Sequence, residues 1–360
     1  MQVGIQNVIT EIRRLPDSGG LDSCEMLKLL SVILIGCLSA YGQDATSIRS
    51  HFLKIIERPR VPLNPKLERG RTAQGLTATH FTFATDADGT VPGIIIRPEK
   101  AAGRRPAIIV LHGTGDSKEG MLDLASELAV RGFLAVAIDG RYHGERTGIG
   151  YEDAILRAYK TGKEHPFLYD TVWDVMRLID YLETRDDVDA KRIGVIGISK
   201  GGMETWLAAA ADPRIAVAIP CISVQSFRWA LENNAWEARV GTIQPAVEEA
   251  ARSSHATLNA QFVRAFYDRL VPGIYSEFDG PSMLPLIAPR PLMVINGDSD
   301  SLTPIPGVML AANSASEAYA KAGAKEKFVL RVQKNAGHSV NGESMRAAID
   351  WFVTWLKPSS

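Results

Sequence analysis

The sequence predicts an α/β protein built on a doubly wound, mostly parallel sheet. Two observations carry this reading. From Thr77 onward, short apolar runs alternate with amphipathic segments, the pattern of strands joined by crossover helices. Runs such as Ala107 to Leu111 (AIIVL) and Phe133 to Ile138 (FLAVAI) are apolar at every position, as expected of parallel strands covered on both faces.

The elements are expected in the following order. Leu29 to Ala40 (LLSVILIGCLSA) is an apolar run of about a dozen residues, preceded by Lys28 and followed by polar Gln43 and Asp44. It is too short to span a bilayer and reads as the apolar part of an export leader, with a core helix as the alternative. Ala40-Tyr41-Gly42 offers cleavage before Gln43, whereas Leu34-Ile35-Gly36-Cys37 resembles a lipoprotein box that would put lipid on Cys37. The residues before Met26 are unusual for a leader, so translation is expected to start at Met26. Residues 1–42 are thus expected to be a leader, 43–76 a lead-in and 77–360 the folded domain of a secreted or periplasmic protein.

Thr77 to Thr82 and Val91 to Ile96 are expected to pair across the turn at Asp86-Ala87-Asp88-Gly89. Ala107 to Leu111 follows, then a helix carrying Met121, Leu124, Ala125 and Leu128 that ends near Gly132. After Phe133 to Ile138, the positions Leu168, Val172, Val175, Ile179 and Leu182 stripe a long helix. Ile193 to Ile196 and Ile215 to Ile219 are the fifth and sixth strands. Pro291 to Ile295, Phe328 to Val332 and a helix from Ser344 to Leu356 close the domain.

About seventy residues separate Ile219 from Pro291, far more than an ordinary crossover. This stretch holds Phe227, Trp229, Trp236, Phe262, Phe266, Tyr267 and Tyr275, with helical patterns near Pro245 to Arg252 and Leu258 to Leu270. It is expected to form a lid-like insertion over residues 222–288, beside the carboxyl ends of the strands where ligands bind in such sheets. A peripheral helical excursion is the alternative.

Composition narrows the function. Forty basic against 41 acidic side chains give a formal charge of −1, which supplies no footprint for nucleic acid. Three cysteines exclude a disulfide scaffold, and the scattered histidines form no metal-ligand spacing. No phosphate-binding or dinucleotide-binding glycine motif is present. No metal and no cofactor are therefore expected.

The chemistry is carried by Gly197-Ile198-Ser199-Lys200-Gly201, which ends one apolar strand and opens a helix. That context suits a nucleophile elbow, in which glycines permit a tight turn and Ser199 projects at a helix N-terminus. A serine needs a base, and the base an orienting carboxylate. His338 follows the last strand, while Asp298 and Asp300 follow the one before it. Either aspartate suits the acid position. An oxyanion needs two N–H donors: the amide of Lys200 is one, and that of Thr114, in the Leu111-His112-Gly113-Thr114-Gly115 loop, is the other. His112 is read as structural, and Arg141 and His143 as bracing the Asp139 to Gly144 loop, with contact to substrate as the alternative.

Together the HGTG loop, DGRYHG, GISKGG, the APRPLMVINGDSD segment and AGHS resemble the α/β-hydrolase superfamily over Thr77 to Leu356. Within it the chain resembles the branch of dienelactone hydrolases, acetyl-xylan-type esterases and prolyl-oligopeptidase-like peptidases. That branch places its acid in G-x-x-D-x-x-x-P, which Gly297, Asp300 and Pro304 fit, so the resemblance implies Asp300. It implies a serine esterase acting on short-chain esters of small molecules or carbohydrates. A peptidase or a catalytically silent binding protein on the same fold are the alternatives.

Overall fold

The computed structural model describes residues 46–87, 89–100 and 103–358. The apolar run from Leu29 to Ala40, with its two processing sites, lies outside the described residues. One compact unit extends from Ile48 to Ser360. Residues 46–56 form helix α1. The strands then begin earlier than the sequence pattern indicates, with β1 (Lys66–Leu67) and β2 (Arg71–Ala73), both antiparallel to β3 (Leu76–Ala84). Both short strands are exposed throughout, so the burial that normally marks a strand in sequence is absent there.

Strand β4 (Thr90–Pro98) pairs antiparallel with β3, as the turn at Asp86 to Gly89 predicts. Next come β5 (Arg105–Leu111), α2 (Leu122–Val130), β6 (Leu134–Ile138), α3 (Tyr151–Thr161), α4 (Tyr169–Glu183), β7 (Val188–Ile198), α5 (Lys200–Ala211) and β8 (Ile215–Cys221). The insertion supplies α6 (Phe227–Glu232), α7 (Glu237–Val240), α8 (Gln244–Ser253), α9 (Ala260–Leu270) and α10 (Gly280–Met283). The chain closes with β9 (Leu292–Gly297), α11 (Ile305–Lys321), β10 (Phe328–Gln333) and α12 (Gly342–Leu356).

The sheet runs β1-β3-β4-β6-β5-β7-β8-β9-β10, with β2 on the edge of β3. Every pair from β6 through β10 is parallel. That explains the continuous apolar runs: β5 and β6 are buried at every residue, because helices cover both of their faces. Ile108, Val110, Ile196 and Ile219 share one apolar cluster with Leu128 of α2 and Phe352 of α12. Helices α4 and α5 pack on each other and against β7, toward the side to which Ile109 and Val195 alternate.

This topology has one consequence for chemistry. The carboxyl ends of β5, β6, β7, β9 and β10 all open at the same edge, so loops far apart in sequence converge there. No helix among the described residues is long and apolar enough to cross a membrane.

Candidate active site

Ser199 stands between β7 and α5 at φ 54° and ψ −114°. A non-glycine residue rarely adopts this left-handed region, and here the turn imposes it. The glycine at 201 is required sterically: a Cβ there would lie 2.4 Å from the Leu111 carbonyl oxygen and 2.6 Å from that of His112. The elbow therefore sits hard against the end of β5.

His338 Nε2 lies 2.7 Å from Ser199 Oγ, and His338 Nδ1 lies 2.8 Å from Asp300 Oδ2 and 3.0 Å from Oδ1. Asp300 also accepts from the amides of Leu302 and Thr303 at 2.9 and 3.1 Å and from the Thr303 hydroxyl at 2.5 Å. Burial pushes the Asp300 carboxyl up. The hydrogen bonds from His338 and Thr303 outweigh it and hold the group below the usual carboxylate range. Asn296 in turn fixes Thr303: its Nδ2 donates to the Thr303 carbonyl at 3.1 Å, and its Oδ1, 2.8 Å from the Thr303 hydroxyl, shares with Asp300 the one proton that hydroxyl can give.

Asp298 has a different place. It accepts from the amides of Asn335 and Ala336 at 3.0 and 3.2 Å, and so ties the loop carrying His338 to the turn carrying Asp300. Turn and loop approach so closely that a Cβ at Gly297 would lie 2.2 Å from the Ala336 carbonyl oxygen. The two aspartates left open by sequence are thus separated: Asp300 faces the histidine and Asp298 holds its loop.

The loop after β5 abuts the elbow, since a Cβ at Gly113 would stand 3.6 Å from that of Ser199. Lys200 is the first residue of α5, where the backbone N–H has no partner one turn earlier in the helix. Its side chain turns away into the core and donates to Glu204 at 2.9 Å. His112 is structural: Nδ1 donates to the Gly113 carbonyl at 2.7 Å, and Nε2 accepts from the Gly140 amide at 2.9 Å. Burial and the neighbouring Lys200 charge push it down to about 2, so it stays neutral. Arg141 braces its loop as expected, gripping Asp174 at 2.8 and 2.9 Å and Asp86 at 2.9 Å.

Ser199 and His338 open into a narrow cavity of about 20 Å³. Its wall includes Ile222, Ser223, Gln225, Ala238, Arg239, Thr242 and Tyr267 from residues 222–288, together with Met203. The insertion therefore supplies much of the wall beside the half-buried nucleophile. Arg239 is buried, donates to the Leu302 carbonyl and stacks over Phe227, 5.1 Å from the ring centre. Thr242 also lines a second, larger cleft of about 660 Å³ shared with Thr114, His143 and Tyr151.

Sequence reading passed over Arg239, Gln225 and Tyr151. Each is a lone polar or aromatic residue in a segment without a motif, and its place at the site depends on tertiary packing. Cys221 is buried at the end of β8, and burial pushes its thiol up to about 12. Among the described residues no group of histidine, cysteine and carboxylate side chains is arranged to hold a metal ion.

Comparison with known proteins matches residues 85–323 to a family model described as glucuronyl esterase, fungi. The match takes in Ser199 and Asp300 and ends before His338. YtaP of Bacillus subtilis (strain 168) is 26% identical over 292 residues, which are 76% of this chain and 87% of the relative. A 4-O-methyl-glucuronoyl methylesterase 1 of Sodiomyces alcalophilus is 32% identical over 203 residues, 54% of this chain and 39% of its own length. Among solved structures, methylesterase BT1017 superposes with a TM-score of 0.65 at 20% identity, covering 89% of this chain and 65% of that one.

Proposed function

The chain belongs to the glucuronyl esterase family of α/β-hydrolases and is a carboxylic ester hydrolase, and from that premise we propose that it cleaves carbohydrate esters through Ser199, His338 and Asp300. The observation that carries this reading is the unbroken line from Ser199 Oγ through both ring nitrogens of His338 to the Asp300 carboxylate.

Each member has one task. His338 Nε2 accepts the Ser199 proton as Oγ attacks the ester carbonyl, and Asp300 holds the ring in the tautomer that leaves Nε2 free to accept. The carbonyl oxygen becomes an oxyanion beside the amides of Thr114 and Lys200 and the N-terminus of α5. The C–O bond to the alcohol then breaks, and the alcohol leaves with the proton from His338. Water, deprotonated by His338, attacks the acyl-enzyme, and the acid departs with Ser199 restored.

The two cavities support a division of the ester. The space beside Ser199 has room for little more than a methyl group, and the adjoining cleft has room for a sugar ring. Acetyl groups on a sugar and the methoxy group of a uronate methyl ester both meet that description. The family model and the Sodiomyces relative favour the second.

The test is hydrolysis of p-nitrophenyl acetate together with labelling by a fluorophosphonate probe, on wild type and Ser199→Ala. Both signals are expected to vanish in the variant while its circular dichroism is unchanged. Activity that survives Ser199→Ala undiminished would sink the assignment. Export to the periplasm or medium is a separate part of the proposal. It rests on the apolar run from Leu29 to Ala40, and a mature protein whose first residue is Met1 or Gln2 would refute it.

A further inference from the structure

We propose that Arg239, delivered by the insertion, is a positioning residue for the triad: its guanidinium holds the peptide between Leu302 and Thr303 and, through the N–H of that peptide, steadies the Asp300 carboxylate that meets His338. This deepens the serine-triad reading and rests on it.

Arg239 belongs to the short helix α7 (Glu237–Val240), yet its side chain reaches the turn after β9. It is buried and donates through Nη2 to the Leu302 carbonyl, while its Nε is buried without a partner. An arginine keeps its charge in a protein, and a buried charge is costly unless it is paired. No ion pair offsets that cost here: among the described residues no carboxylate is bonded to the guanidinium, and Asp279 and Asp300 attract it only through space. Its neighbours are the face of the Phe227 ring, 5.1 Å away at the centre, and that one carbonyl oxygen. Packing alone would be served as well by an uncharged side chain.

The carbonyl of Leu302 and the N–H of Thr303 belong to one trans peptide group, so they point in opposite directions along its dipole. The oxygen end accepts from the guanidinium. The N–H end donates to Asp300 Oδ1 at 3.1 Å, beside the Leu302 amide, which donates to the same oxygen at 2.9 Å. One peptide thus stands between a cation and an anion with its dipole aligned to both. Hydrogen bonds in series polarise one another at low dielectric, so the pull of Arg239 on the oxygen makes the Thr303 N–H a stronger donor. Asp300 then meets His338 Nδ1 at 2.8 and 3.0 Å, and His338 Nε2 meets Ser199 Oγ at 2.7 Å. The line of bonds that ends at the nucleophile begins in the insertion.

Two further contacts keep the arginine and the turn together. The Tyr267 hydroxyl of α9 donates to the Arg239 carbonyl. A Cβ at Gly241 would lie 2.7 Å from Leu302 Cδ2, so the backbone after α7 lies against the Leu302 side chain. Arg239 also lines the cavity beside Ser199, which makes contact with substrate the rival role.

Arg239→Met separates the two, since it keeps an apolar stem over Phe227 and removes the charge and the donors. kcat for p-nitrophenyl acetate is expected to fall about tenfold while KM stays within about twofold of wild type, the split expected of a group that acts on the triad and not on the bound ester. The NMR resonance of the His338 Nδ1 proton, drawn downfield by its bond to Asp300, is expected to move in the same variant. Arg239→Lys, which restores the charge, should regain most of both the rate and the resonance position. Should Arg239→Met not fold, Arg239→Lys is compared with Arg239→Gln, and the charged variant should be severalfold faster. A raised KM with unchanged kcat would make Arg239 a substrate contact and overturn the proposal. An unmoved resonance in Arg239→Met, or Arg239→Lys no faster than Arg239→Gln, would overturn it too. Failure of the triad reading looks different: Asp300→Asn would then hydrolyse the ester as fast as wild type, the downfield proton would be missing from wild type itself, and the role of Arg239 would fall with the triad.

Discussion

Along the line from Ser199 to Asp300, both ring nitrogens of His338 and both oxygens of Asp300 are engaged within the chain. A short distance away, His143, Tyr151 and Thr114 each bury a polar atom that is bonded to nothing. Both regions sit at the carboxyl edge of one sheet, and each contains a histidine whose Nδ1 is committed to an oxygen. The difference lies at Nε2, which meets a serine in one case and, in the other, is buried without a hydrogen-bond partner. Groups that exchange protons with one another are pre-assembled.

The largest effect comes from breaking the assembled side. Asp300→Asn keeps the shape of the turn but removes the charge that orients His338 and stabilises it once protonated. kcat for p-nitrophenyl acetate is expected to fall by about 10⁴-fold. Near-wild-type turnover in this variant would show that His338 needs no carboxylate.

A second effect concerns stability, and it rests on two buried histidines, His143 and His112. His143 and His112 are held neutral in the fold, at about 4 and about 2, whereas the unfolded chain binds protons at about 6.5. Their folded values are lowered, so the stabilisation is fully present above pH 6.5 and is lost as the pH falls toward 4. For His143 the loss is on the order of 2–3 kcal/mol. Urea unfolding at pH 7.5 and 4.5 measures it, and His143→Gln should shrink the difference between the two pH values. An unchanged difference would contradict the burial of a neutral ring.

Much of the assembled side was legible in the sequence, and little of the unpartnered side was. The elbow announces itself because a strained turn demands glycines at fixed offsets, and the triad order follows from strand order. Position after the strand left Asp298 and Asp300 open, and Asp300 was preferred only through the resemblance, whose G-x-x-D-x-x-x-P spacing it fits. Their roles depend on which carboxylate meets a ring and which meets two amides, a matter of side-chain direction. The Tyr151 hydroxyl carries no periodicity and no motif, and DGRYHG, which contains His143, does not show which ring nitrogen is left unbonded. Strands β1 and β2 escaped for a related reason: both are exposed, so no apolar alternation marks them. The insertion was visible as excess length and aromatic content, and its packing over the nucleophile emerged only with the cavity wall.

The rigidity of the elbow gives a third, smaller effect. Gly201→Ala drives a methyl group into the carbonyls of Leu111 and His112, which are backbone and cannot swing aside. A loss of about 1–3 kcal/mol is expected from such overpacking, read as a lowered thermal midpoint. Activity should fall more than stability at moderate temperature, since the displaced strand end carries the Thr114 loop. Unaltered stability would mean that the elbow yields at little cost.

The smallest expected effect is also the sharpest comparison between neighbours. Asp298→Asn replaces a carboxylate that binds the Asn335 and Ala336 amides but keeps an oxygen able to accept one of those bonds. The His338 loop should loosen without losing its acid, because the three donors to Asp300 from Leu302 and Thr303 are untouched. kcat is expected to fall only a few-fold, about tenfold at most, in keeping with one weakened charge-assisted bond. Asp300→Asn should be about a thousand times worse, or more, under the same assay. If Asp298→Asn proved the more damaging of the two, catalysis would depend on the placement of the loop more than on the charge beneath the ring.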